Sequence, residues 1–294
     1  MKISDLGELL LLASLWGASF LFMRIASPVF GPVWLMECRV LIAGLALLPL
    51  VVKLGLLGEV RRYAKPLFII GCFNAALPYL LFAFASLFLP AGVTSILNAT
   101  TPLFGSIVAF IWLKEKFTLS KIIGLVLGLG GVVVLVGWQS FVVTPNSLLA
   151  VGGVLIATLM YAIAAPYIKK QLSGVPSLVI ATGSLLFAPL FLLPAIPFTV
   201  PTTAPTPISI MALFGLALLS TSLAYILYFR LISNVGSTKA LTVAYLIPIF
   251  AMLWGAIFLK EAITVSMILG CSLVLLGTAI ANDLFKSMVL KKMF

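Results

Sequence analysis

The chain has no histidine, only seven acidic residues and only three cysteines among its 294 positions. Without histidine there is no imidazole proton relay and no Ser-His triad, and most zinc sites lose their usual ligand. The cysteines, Cys38, Cys72 and Cys271, all stand inside apolar runs. Disulfides form in oxidising aqueous surroundings, so these three read as small buried apolar residues. Charged residues make up 9% of the chain and hydrophobic ones 63%. Soluble domains average about 25% charged and about 45–50% apolar. No aqueous core absorbs that excess, so lipid must be the solvent for most of the length. The first apolar run, from about Leu6 to Ala26, is longer than a signal-peptide core and lacks a small-residue cleavage site after it. It is expected to stay as a helix.

What is present is a series of apolar runs of membrane length, about 20 residues each. Breaks between them give ten spans, near 6–26, 32–53, 66–88, 91–113, 121–138, 147–168, 177–197, 208–230, 238–259 and 264–285. Ser27-Pro28 and Gly31-Pro32 end the first, the charged run Glu59–Lys65 separates the second from the third, and a Pro/Thr-rich stretch over 197–207 separates the seventh from the eighth. Lysine and arginine collect at cytoplasmic ends of membrane proteins. With both termini placed in the cytoplasm, nearly every cation falls at a cytoplasmic end, and the loops 139–147 and 198–207 have none. Only Arg24 and Lys260 fall at the outer side, and Arg39 lies within a span. The expectation is a multi-pass protein of the cell (inner or plasma) membrane with both termini cytoplasmic. This bias also accounts for the net charge of +11 without nucleic acid as a partner.

Two stretches repeat one another without a gap. Those beginning at Pro102 and Pro248 match at 13 of 30 positions with an offset of 146 residues. Lys114-Glu115 falls on Lys260-Glu261, Thr118 on Thr264, Gly124 on Gly270 and Gly131 on Gly277. Apolar helices resemble one another by composition, so the aligned proline, Lys-Glu pair and glycines carry the signal. The period holds five spans, and an odd number reverses direction. The fold class expected is therefore all-α integral membrane, with ten transmembrane helices as two inverted five-helix repeats over 1–140 and 141–294. Such repeats are a mark of alternating-access transporters. The outside Lys260-Glu261 then owes its place to the repeat.

The combination resembles the drug/metabolite transporter superfamily, in its EamA-type ten-helix branch. The residues that carry the resemblance are Leu15-Trp-Gly-Ala-Ser-Phe20, Arg39 before an apolar run, Ala91–Ile96 through Pro102 to Leu113-Lys-Glu115, and the echo through Pro248 to Leu259-Lys-Glu261. The resemblance covers nearly the whole chain. It implies a pocket between spans 1–4 and 6–9, with spans 5 and 10 at the periphery. It also implies a small organic substrate, among them amino acids, other metabolites, nucleotide sugars or organic cations. Glu37 departs from the general pattern.

Glu37 is the carboxylate well inside a span, and such a residue in lipid is a functional hypothesis by default. It could bind and release a coupling proton, form an ion pair with Arg24 or Arg39, or lie exposed at the outer mouth. Arg39 could meet a substrate carboxylate or brace neighbouring helices. Pro102 and Pro248, near the middle of spans 4 and 9, could form gating kinks or fixed bends. Trp16 corresponds to Tyr161, and Tyr79 to Tyr225. With Asn98, Thr101 and Tyr245 they are the candidate substrate-binding group, suited to stacking, cation–π contacts and a few hydrogen bonds. Buried packing is the alternative for each. The glycine stripe of Gly124, Gly128 and Gly131 reads as close packing within the monomer or as a homodimer face.

No catalytic residue, cofactor or metal site is expected. The function read from these residues is secondary transport, most readily export of small amphipathic metabolites of the amino-acid class by alternating access. Export of drugs or organic cations, another metabolite class and a non-transporting scaffold remain as alternatives. One embedded cation argues against sugar phosphates.

Overall fold

The computed structural model describes residues 2–138 and 141–282. Within them the chain is all helical. Eight helices are long and apolar enough to cross a membrane: α1 Ile3–Phe30, α2 Pro32–Lys53, α3 Ala64–Ala85, α4 Ala91–Trp112, α5 Leu119–Gly137, α6 Pro145–Gln171, α7 Ser177–Phe198 and α8 Pro207–Val235. Two more apolar helices, α9 Val243–Leu259 and α10 Val265–Ala281, are shorter. The sequence reading gives span 9 as one run from 238. The structure instead interrupts it at Leu241-Thr242, after a short helix Ser237–Ala240.

Helix starts follow local chemistry. Thr118, Thr144, Thr206 and Thr264 each accept an amide hydrogen bond three residues on, capping α5, α6, α8 and α10. Proline stands in the first turn of α2, α6 and α8, where its missing N–H costs nothing. The corner after α4 and the corner after α9 are alike. Lys114 and Lys260 take left-handed backbone at φ 56° and 59°, the only non-glycine residues among those described to do so. The next amides, of Glu115 and Glu261, both return 3.2 Å hydrogen bonds, to the carbonyls of Ala109 and Gly255. The repeat is thus reproduced down to dihedral angles.

Packing is two-fold as well. α1 packs on α8 and α9, and α6, its counterpart, on α3 and α4. α2 meets α7 and α5 meets α10 across the approximate axis. The last contact is the most extensive in the molecule and explains the glycine stripe. A Cβ on Gly124 would lie 2.5 Å from the Gly277 carbonyl oxygen, and one on Gly131 would lie 2.7 Å from that of Gly270. Both glycines are therefore used within the monomer. The opposite side of α5 exposes Ile122, Val126, Leu129 and Val133, as a peripheral lipid-facing helix does.

The glycine seam gives a stability test. Gly124→Val should force α5 and α10 apart and destabilise the protein by about 1–3 kcal/mol. Gly130→Ala meets open space and should be neutral or raise stability by up to about 1 kcal/mol. Thermal unfolding in detergent, followed by monodispersity, checks both; equal effects of the two changes would refute the seam.

Candidate functional site

A cavity of about 580 Å³ lies between the halves, bounded by α4, α6 and α9 and by Asn282 just beyond α10. Its rim residues are Ala109 late in α4, Lys169 late in α6, Thr242 before α9 and Asn282. All of these lie toward the face where α1 begins and α10 ends, called here the terminal face. The cavity is therefore open there. Thr101, Pro102, Tyr161 and Tyr245 line it, together with small residues such as Gly105 and Ala165. Four candidates from the sequence thus meet in one space.

The cavity exists because α4 is interrupted. Ala99 and Thr100 leave the helix, and Pro102 starts the next segment in its first turn. The Thr100 and Thr101 hydroxyls donate to the carbonyls of Leu97 and Asn98, at 2.7 and 2.8 Å. They satisfy acceptors that lipid could not. Asn98 ends the preceding segment, one turn from the cavity wall. Pro248 sits buried inside continuous α9, and the break falls six residues earlier. The two aligned prolines therefore occupy different local geometries.

Beyond Tyr161 lies a second, deeper group. Arg39, 5% exposed, places its guanidinium 3.7 Å from the centre of the Tyr79 ring and donates from Nε to the Thr221 hydroxyl at 3.0 Å. The Tyr79 and Tyr225 hydroxyls lie 3.3 Å apart, so residues matched by the repeat meet physically. Tyr161 and Tyr225 both lie within electrostatic reach of Arg39 and Tyr79. Tyr161 also stacks on Phe82. Arg39 has no carboxylate partner among the described residues. Trp16 packs at 5.1 Å on Tyr228, which meets Phe229 and through it Tyr225.

Two π-helical stretches flank Arg39, Cys72–Ala76 in α3 and Gly215–Leu223 in α8. They overlap at the repeat offset. In α8 the widened turns leave carbonyls that Thr221 and Ser222 satisfy five residues back, at Leu216 and Ala217. Thr221 is thereby fixed as the acceptor for Arg39. Sequence reading missed Thr221 and both π stretches. The available signal was Asn74 falling on Ser220, polar on polar inside apolar runs. It also missed Lys169, Thr242 and Asn282 at the rim.

Glu37 points elsewhere. It shares a stripe of α2 with Trp34, whose indole N–H reaches the Ile196 carbonyl at 3.2 Å, and with Gly44, which packs on Leu186. That stripe faces α7. Glu37 makes no ion pair with Arg24 or Arg39 among the described residues, and its Oε2 is buried without a hydrogen-bond partner. Arg24 is engaged at the far face instead. Its Nε lies 3.4 Å from Glu261, and its Nη1 donates to the carbonyls of Ser86 and Leu87. Glu261 also accepts the Ala91 amide at 2.9 Å. Burial pushes the Glu261 carboxyl above its ordinary pKa, while the Ala91 amide and Arg24 pull it back. Sequence reading saw these two outer charges singly and not as a pair. This cluster ties α1, the α3–α4 turn and α9 together at the far face. No group of three or more possible metal ligands occurs among the described residues.

The comparisons agree with this architecture. The model of the EamA-like transporter family matches residues 6–137 and 148–282. The uncharacterised transporter YvbV of Bacillus subtilis (strain 168) is 27% identical over 94% of this chain and 90% of its own. A protein of Streptantibioticus cattleyicolor named a probable terminal-alkyne amino-acid exporter is 24% identical over 96% of this chain and 95% of its own. A solved crystal structure aligns with a TM-score of 0.66 at 16% identity, covering 98% of this chain and 99% of the other, and so shares the fold. With two matched units, ten apolar helices and a cavity between inverted halves, the chain is a multi-pass membrane transporter and belongs to the EamA-like transporter family.

Proposed function

We propose that this transporter exports small amphipathic metabolites bearing one carboxylate, of the amino-acid class, by alternating access. The observation that carries the reading is Arg39. Arginine stays charged in proteins, and a cation at this depth costs about 2.5–3.5 kcal/mol or more unless compensated. Its contacts are a hydroxyl, an aromatic face and two methionine sulfurs. A solute carboxylate supplies the missing anion. The tyrosines and the apolar wall of the cavity suit the rest of an amphipathic molecule. A single uncompensated cation favours a monoanionic group over a phosphate and disfavours organic cations. The relative named as an amino-acid exporter supports the class. In this reading the terminal face is cytoplasmic, as the lysine and arginine bias favours. The open cavity is then the loading state for export, and Glu37 carries a coupling proton.

Two measurements test this. The first uses purified protein in liposomes, loaded with amino acids, their amides and their decarboxylated amines. Counterflow should favour the acids, and Arg39→Gln should reduce acid transport about 10- to 100-fold. Arg39→Lys should not restore it, because the planar fork is lost. Equal transport of acid and amine, or an indifferent Arg39→Gln, refutes the carboxylate reading.

The second applies a pH gradient to wild type and Glu37→Gln. The neutral isostere should keep counterflow and lose the response to the gradient. A response that survives in Glu37→Gln removes the coupling role from this residue.

A further inference from the structure

The two Lys-Glu corners share one backbone geometry yet hold their carboxylates differently. At the far face, the Glu261 side chain is 15% exposed and locked to Arg24 and to the Ala91 amide. At the terminal face, the Glu115 side chain is 52% exposed and pairs at 3.0 Å with Lys121 in the first turn of α5. The partners that Glu261 uses have counterparts in the other half. At the offset that places Trp16 on Tyr161, Arg24 falls on Lys169. At the 146-residue offset, Ala91 falls on Ser237, whose amide begins the short helix before α9. Ala91 and Gly92 pack directly on α9 and α10, against Gly255, Met252 and Met267. The segment Ser237–Ala240 packs on α8 instead. The open cavity, with Lys169 on its rim, occupies the terminal side of this arrangement.

We infer that Glu115 and Lys169 form the second gate of the transport cycle. When the terminal face closes, Glu115 leaves Lys121, takes the Lys169 ammonium and accepts the amide of Ser237. The Arg24–Glu261–Ala91 cluster opens in the same step. The argument is that inverted halves exchange conformations, so the contacts that shut one face give the contacts that shut the other. Two differences bias the exchange. Arginine grips with a planar fork where lysine offers a point charge. Lys121 competes for Glu115, whereas its counterpart Met267 cannot compete for Glu261. Both differences favour the conformation open at the terminal face. Glu115, Lys169 and Lys121 are positioning residues here, and none of them is required to touch the solute.

The inference rests on the alternating-access reading, and its test needs no solute, so a mistaken substrate class leaves it intact. The reporter is Ala165→Cys on the cavity wall, with Cys38, Cys72 and Cys271 replaced by alanine, labelled by a charged maleimide in detergent. Glu261→Gln should weaken the far lock and slow labelling about fivefold. Adding Glu115→Gln should restore the parent rate, because neither gate then holds. Lys121→Met alone should slow labelling by freeing Glu115. Exchanging the charges, with Glu115→Lys and Lys169→Glu in the Glu261→Gln background, keeps the ion pair but loses the acceptor for the Ser237 amide, and should leave labelling slower than Glu115→Gln does in that background. Labelling that ignores Glu115→Gln in that background, or that Lys121→Met leaves unchanged, overturns the gate. So does a charge exchange that behaves like Glu115→Gln.

Discussion

A bilayer offers no water to a backbone group, and that constraint organises this molecule. Each unsatisfied amide or carbonyl in the hydrocarbon costs several kcal/mol, so helices break only where protein or a cavity receives the freed groups. The breaks obey it. Thr100 and Thr101 cover the carbonyls before Pro102, and Thr221 and Ser222 cover those of the α8 π stretch. These irregular turns face the space between the halves, while peripheral α5 runs unbroken. At the α4 break and the turn before α9, irregular backbone and the cavity coincide for one reason. Only there can an interrupted helix be tolerated, and only an interrupted helix leaves room for a solute.

Much of the fold was legible because membrane helices announce themselves by length and the corners repeat. Lys114-Glu115 and Lys260-Glu261 aligned as letters, and the structure gives them the same dihedral angles and the same return hydrogen bond. Tyr79 and Tyr225 aligned as letters and meet as hydroxyls. The site was less legible. Pro102 and Pro248 align yet differ, since one begins a segment and the other sits inside a helix. Where a helix yields depends on the hydroxyls and neighbours available to take its carbonyls, and proline fixes only one term of that balance. Lys169 and Thr242 belong to the rim through tertiary placement, and no local pattern marks them.

The charges divide between two tasks. Arg24, Glu261, Glu115 and Lys121 lie at the ends of helices, where water and partners keep ion pairs cheap to form and to break. Arg39 lies deep, where a charge is costly and a broken partnership costlier still. In the proposed cycle switching belongs to the first setting, because contacts at water-facing ends can be exchanged without trapping either conformation. In the proposed reading discrimination belongs to the second, because a buried cation gains most from the one ligand that neutralises it.

In the proposed cycle the same division lets two inverted halves yield a directed machine. Perfect two-fold symmetry would make the two access states equal in energy. Among its departures from symmetry at the ends are Arg24 against Lys169 and Lys121 against Met267. Each departure tips the balance by a fraction of a surface ion pair, enough to set a resting state and too little to prevent the return. The glycine seam of α5 and α10 stays outside this balance. Its Gly124–Gly277 and Gly131–Gly270 contacts pair one half with the other across the axis, so a pivot there keeps the same contacts in either state.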